Sequence, residues 1–145
     1  HIENIINLIS DVYDEFVAPG YSDEGNKNFY SAVNHSTIIE KMNNEGYGYI
    51  AKDDSGNITG VILIRDKNHI MFYFVKKEHH NQGIAKSLFK IAVEYIKQKY
   101  PYLSIITVKS SPYAKIIYEK LGFNADDDLQ SMGGVLYYPM TYIIK

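Results

Sequence analysis

Apolar residues recur along this chain with helical spacing in some stretches and strand alternation in others, and the changes of period mark its elements. Ile2, Ile5, Ile6, Ile9, Tyr13 and Phe16 share one helical face that ends before Pro19-Gly20, and a second helical region is expected between about residues 23 and 44. β-Branched and aromatic runs then predict three consecutive strands, at 48–52, 58–65 and 69–75. Turn-forming stretches separate them, Asp53-Asp54-Ser55-Gly56-Asn57 and Asp66-Lys67-Asn68. From Gly83 the helical period returns, with Ile84, Ala85, Leu88, Phe89, Ala92 and Ile96 as the apolar stripe and Lys86, Lys90, Glu94 and Lys97 on the opposite face. This helix is expected to stop near Tyr100-Pro101. A strand at 103–109, a helix at 111–121 and closing strands at 123–129 and 134–144 complete the order. The chain thus reads as α+β, a single domain over residues 1–145 with no repeat, linker or low-complexity segment.

Two segments carry candidate chemistry. Residues 80–86, His80-Asn81-Gln82-Gly83-Ile84-Ala85-Lys86, lead from the third strand through a polar loop into a helix. The first N–H groups of a helix have no partner within it, so a row of them binds phosphate well. Gly83 lets a ligand approach the backbone, Ala85 keeps the next turn small, and Lys86 adds positive charge beside the positive end of the helix dipole. An ordinary turn remains the alternative on these residues alone. A Walker-type loop would need glycines where the chain has His80 and Ala85. No His or Cys stands at ligand spacing from His79-His80, so a metal site is not expected. In the second segment, Ser111 suits an N-cap, Pro112 the first helical position and Gly122 the C-terminal cap. Ala114, Ile117, Tyr118 and Leu121 form the stripe between them, which turns Tyr118 inward. Its simplest role is a core tyrosine whose hydroxyl bonds the backbone.

Taken together, His80 to Lys86 and Tyr118-Glu119-Lys120-Leu121-Gly122-Phe123 resemble the GNAT superfamily of acyl-CoA-dependent N-acetyltransferases, and the order of elements matches its core over nearly the whole chain. The resemblance implies a central mixed, mostly antiparallel sheet, flanked by helices and splayed where acetyl-CoA binds. The family loop reads Gln or Arg, two residues, Gly, one residue, Gly or Ala; His80 departs from the first position, while Gly83 and Ala85 fit the others. By the same resemblance the cofactor site comprises Phe74, Val75, His80, Asn81, Gln82, Gly83, Ile84, Ala85, Lys86 and Ser111, with pantetheine bonding the strand backbone and the diphosphate meeting the loop amides. Tyr118 takes the place of the general acid that protonates the departing thiolate, after direct attack by a primary amine. Many relatives carry a glutamate base on the third of the strands above, whereas Ile70-Met71-Phe72-Tyr73-Phe74 has no carboxylate. A water relay, His69, His79 or Glu24 is then the candidate base. Tyr21, Tyr30, Met132 and Tyr137 are candidate acceptor contacts, and Asp126-Asp127-Asp128 could draw in a cationic amine. A catalytically silent acyl-CoA-binding or regulatory module of the same fold is the alternative. Family members usually begin with a strand that His1 and the Ile2 stripe leave no room for, so a trimmed N-terminus is expected, and the open sheet edge would admit a homodimer.

Composition narrows the partners. A net charge of -2 over 145 residues gives no reason to expect nucleic acid. The absence of cysteine removes disulfides, thiol nucleophiles and thiolate metal sites. The longest apolar run, residues 70–75, is far short of the roughly 18 residues of a membrane span, so the protein is expected in the cytoplasm.

Overall fold

The computed structural model describes residues 1–145. Its helices are α1 (Ile2–Val12), α2 (Asp23–Ala32), α3 (His35–Asn43), α4 (Ile84–Lys99) and α5 (Lys115–Leu121). Its strands are β1 (Tyr47–Lys52), β2 (Ile58–Arg65), β3 (His69–Val75), β4 (Ile105–Ser110), β5 (Asn124–Ala125), β6 (Gln130–Met132) and β7 (Val135–Ile143). The sheet order is β1-β2-β3-β4-β7-β5, with β6 also paired to β7. All pairings are antiparallel except β3 with β4. None of the helices is long and apolar enough to cross a membrane.

The sheet separates two apolar layers. Ile5, Leu8, Ile9 and Val12 of α1, with Ile38 of α3, pack against Val61, Leu63 and Phe72 on one face. Leu88, Phe89, Ala92, Val93 and Ile96 of α4 pack against Ile62, Ile64, Ile70, Ile106 and Val108 on the other, joined by Tyr118 and Phe123. Because side chains alternate across a strand, β2 must be apolar on both faces, and residues 58–64 are all buried.

Several boundaries depart from the periodicity. The first stripe runs as α1 only to Val12, then continues through a π-helical turn at Tyr13–Val17 and a short 3-10 turn at Ala18–Gly20. The second helical region is two helices, because Ser22 and Asn34 each accept a backbone N–H three residues on and start a helix of their own. The expected helix at 111–121 is regular only from Lys115; Ser111 instead closes the preceding turn, its Oγ accepting the Ala114 N–H at 3.1 Å. The expected strand at 123–129 is reduced to Asn124–Ala125, since residues 126–129 leave the sheet before β6. No strand precedes α1 in these residues, and β1 forms an edge of the sheet.

The N-terminus of α2 lies directly on the β6–β7 turn. A Cβ placed on Gly25 would stand 2.2 Å from the Gly134 carbonyl oxygen, and Tyr21 on the approach to α2 donates its hydroxyl to the Leu136 carbonyl at 2.6 Å. Gly25→Ala should therefore push α2 off β7 at a cost of about 1–3 kcal/mol, the usual range for overpacking. Gly20→Ala meets nothing within 4 Å and should stay within about 0.5 kcal/mol of wild type. Urea unfolding of the two variants side by side measures the difference.

Candidate active site

The site begins with a strand pairing that stops short. β3 and β4 share only the pairs His69–Thr107 and Ile70–Val108, after which the two parallel strands diverge. Residues 71–75 of β3 therefore have no partner on β4. On its other side β3 stays zipped to β2, except at Met71, which is skipped between the Leu63–Phe72 and Ile64–Ile70 pairs. This bulge bends the strand at the start of the gap. A cleft of about 1280 Å³ opens there, lined predominantly by apolar side chains from β3, α5, the loop before α4, α2 and the β6–β7 turn.

At the C-terminal end of β3 the loop offers donors. None of the backbone N–H groups of residues 81–86 donates to an acceptor in the protein, and α4 has no side-chain cap. Gly83, with φ +80°, turns this row outward and has open space where a side chain would stand. Six consecutive unpaired amides at the positive end of a 16-residue helix, with Lys86 beside them, suit a diphosphate. Tyr73 fixes the row relative to the sheet by donating its hydroxyl to the Ala85 carbonyl. His80 turns back rather than outward: its Nε2–H donates to the Val75 carbonyl at 2.7 Å, and its ring packs on Phe16, 5.2 Å between centroids. Phe16 in turn stacks on Tyr113 across the gap.

Tyr118 enters from the opposite wall. It is 6 % exposed, held edge-on against Phe123 at 5.2 Å and tilted against Tyr73 at 5.9 Å. The end of α5 sets this arrangement, because the Gly122 N–H bonds the Glu119 carbonyl and the Phe123 N–H the Tyr118 carbonyl, with Gly122 at φ +109°. The Tyr118 hydroxyl has no hydrogen-bond partner in the protein, yet no buried side-chain polar atom is both unpartnered and sealed from solvent. Its oxygen therefore opens into the cleft, unlike that of a core tyrosine bonded to backbone. Burial pushes the phenol pKa well above its ordinary value, so the group carries its proton at neutral pH.

Of the residues expected at the site, Phe74, Val75, His80, Asn81, Gly83, Ile84, Ala85, Lys86, Ser111 and Tyr118 all line this cleft. Gln82 does not; its side chain turns back to His79 Nδ1 and the Glu78 carbonyl, leaving only its amide in the row. Tyr21, Met132 and Tyr137 reach the cleft, whereas Tyr30 and Glu24 do not. The Asp126–Asp128 run lies outside it as well, with Asp126 accepting the Thr141 hydroxyl at 2.6 Å. Tyr73 and the Met71 bulge were missed by the pattern of the sequence, because both depend on how β3 meets its neighbours. No Asp or Glu lines the cleft, whereas Lys41, Arg65, Lys86, Lys109 and Lys120 do. No group of three His, Cys, Asp or Glu side chains is placed to share a metal ion.

A family model described as an acetyltransferase (GNAT) domain matches residues 17–144. No curated protein matches the chain in sequence. Among solved structures, the PaiA N-acetyltransferase of Thermoplasma acidophilum in complex with coenzyme A superposes with a TM-score of 0.78 at 17% identity over 98% of this chain and 92% of that one. A GNAT-family acetyltransferase of Staphylococcus aureus gives 0.74 at 18% identity, covering 99% and 93%. An aminoglycoside 6'-N-acetyltransferase complexed with coenzyme A gives 0.65 at 13% identity, covering 97% and 91%.

His69 supplies a test of the closed end of the gap. Its Nδ1 and the Thr107 Oγ1 share a hydrogen bond of 2.8 Å, and burial, with Arg65 and Lys109 nearby, lowers its pKa from 6.5 to about 4. The unfolded chain then binds a proton that the folded one refuses between those values. Stability should be greatest above about pH 6.5 and fall as pH drops toward 4, and His69→Gln should flatten that part of the profile. Urea unfolding across this pH range checks both.

Proposed function

Because the chain belongs to the GNAT acetyltransferase domain family, and is in that sense an acetyl-CoA-dependent acyltransferase, we propose that it acetylates a primary amine by direct attack with Tyr118 as general acid. The observation that carries this reading is the unpartnered, protonated Tyr118 hydroxyl opening into the cleft that the splayed strands create. Acetyl-CoA supplies an activated acyl group. The chain's contribution is to hold it: the 81–86 amides and Lys86 take the diphosphate, and the gap-side edge of β3, where residues 71–75 have no partner on β4, accepts the pantetheine arm as a surrogate strand beside Phe74 and Val75, whose carbonyl already accepts from His80. Ser111 keeps the turn before α5 closed on the far side of the gap.

The amine nitrogen forms a bond to the thioester carbon while the carbon–sulfur bond breaks. Sulfur takes the Tyr118 proton, and water takes the proton lost by nitrogen, afterwards restoring the phenol. Water is assigned that role because no carboxylate lines the cleft, His69 has too low a pKa to hold a proton near neutrality, and His79 stands on the loop before α4 with its ring bonded to Gln82. The same lack of a carboxylate favours the second reading, a silent acyl-CoA-binding module, and turnover separates the two.

Acetyl-CoA should raise the melting temperature by mass action, and Gly83→Asp should abolish the shift by placing bulk and negative charge at the diphosphate. His80→Ala should cost no more than about 1 kcal/mol of affinity, since its side chain bonds Val75 rather than facing outward. Tyr118→Phe should leave the shift intact and lower kcat on the order of 100-fold on an accepted amine, followed by release of free thiol. Unchanged turnover in the Phe variant would return Tyr118 to a packing role.

A further inference from the structure

The charge on the cleft is divided between its two ends. Lys86 belongs to the amide row at the C-terminal end of β3. Arg65 and His69 lie near the other end, six residues and roughly 20 Å back along the strand at ordinary strand rise. Register sets three side chains in a line across the sheet there: Arg65 pairs with His69, and His69 with Thr107, while Lys109 follows two residues on along the same face of β4. That face is the one turned toward α3, whose Lys41 also lines the cleft.

Two of these cations lack an ion-pair partner. Lys109 and Lys41 form no ion pair, and Lys109 Nζ instead sits 5.3 Å from the centre of the Tyr137 ring. Arg65 is paired only with its exposed neighbour Asp66. The arrangement is unsuited to a polycation, which would meet Lys41, Arg65 and Lys109 with no carboxylate to receive it. It suits an anion, for which the half-buried Arg65 and the exposed Lys109 supply charge-assisted hydrogen bonds.

We propose that the acceptor is an amine that also bears a carboxylate or phosphate, held by Arg65 and Lys109 beside the His69–Thr107 pair. This rests on the acetyltransferase reading and deepens it. One further consequence follows from the same charge. A positive neighbour disfavours the ammonium form of an amine, so the cluster both anchors the acceptor and helps to present its nitrogen as the neutral nucleophile. A cleft with no carboxylate base can work in this way.

The test is free-thiol release from acetyl-CoA, with calorimetric binding to protein saturated with coenzyme A as a second readout. Glycine, L-glutamate and O-phosphoethanolamine are compared with glycine amide, glutamate dimethyl ester and ethanolamine at equal free-amine concentration, and with spermidine and kanamycin. At least one anion-bearing amine should exceed its neutral counterpart by about tenfold or more in kcat/KM or affinity. The carboxylate and phosphate arms show which anion is preferred. Lys109→Ala and Arg65→Ala should raise KM for that amine by about tenfold while leaving the KM of acetyl-CoA unchanged; Lys86→Ala should do the reverse. Preference for spermidine or kanamycin, no advantage of any anion-bearing amine, or loss of acetyl-CoA affinity in the Arg65 and Lys109 variants overturns the inference and leaves the acetyltransferase reading standing. Failure of acetyl-CoA itself to bind would remove that reading, and this one with it.

Discussion

Two residue pairs join β3 to β4, and the rest of the structure is arranged around the fact that there are only two. A parallel pairing that stops leaves backbone donors and acceptors exposed on both strands, and such groups must find partners in water, in side chains or in a ligand. Here the surrounding elements keep the gap open rather than closing it. Met71 bulges out of the β2 register at its start, and the turn at residues 111–114, closed by Ser111, carries α5 along its far side. His80 takes one freed carbonyl, that of Val75.

The apolar core reaches the chemistry through aromatic rings. Phe123 is almost fully buried among α4, β7 and α5; it fixes the edge of Tyr118, and Tyr118 leans on Tyr73. Tyr73 then holds the first turn of α4 by its hydroxyl, so the proposed acid and the amide row are positioned by one packed unit. Burial raises the pKa of both phenols. A tyrosine in such a place keeps its proton because the anion would be poorly solvated; the same burial makes it a weaker acid, so its fitness for the proposed role rests on where its hydroxyl stands and not on the shift.

Much of this was legible along the chain. β2 and β3 fall where alternation and β-branching put them, α4 begins immediately after Gly83, and Gly122 ends α5, because each of these signals is local: a side chain, a cap or a backbone that needs φ above zero. Local pattern misleads where a longer contact decides. Residues 126–129 read as strand but leave the sheet, and the stripe through Phe16 tightens into a π-helical turn whose Phe16 meets His80 and Tyr113. Asp126–Asp128, close to the motif in sequence, lies away from the cleft.

The sequence by itself determined the order of elements, the helix that presents an amide row, and the inward face of Tyr118, since those follow from spacing within one element. Only the tertiary structure decided that the Tyr118 hydroxyl has no partner, and that Arg65, His69 and Lys109 share one face of the sheet with no acid lining the cleft. Both features join elements far apart in the chain. Strand register and helix docking bring them together, and neither is encoded by any single stretch of residues.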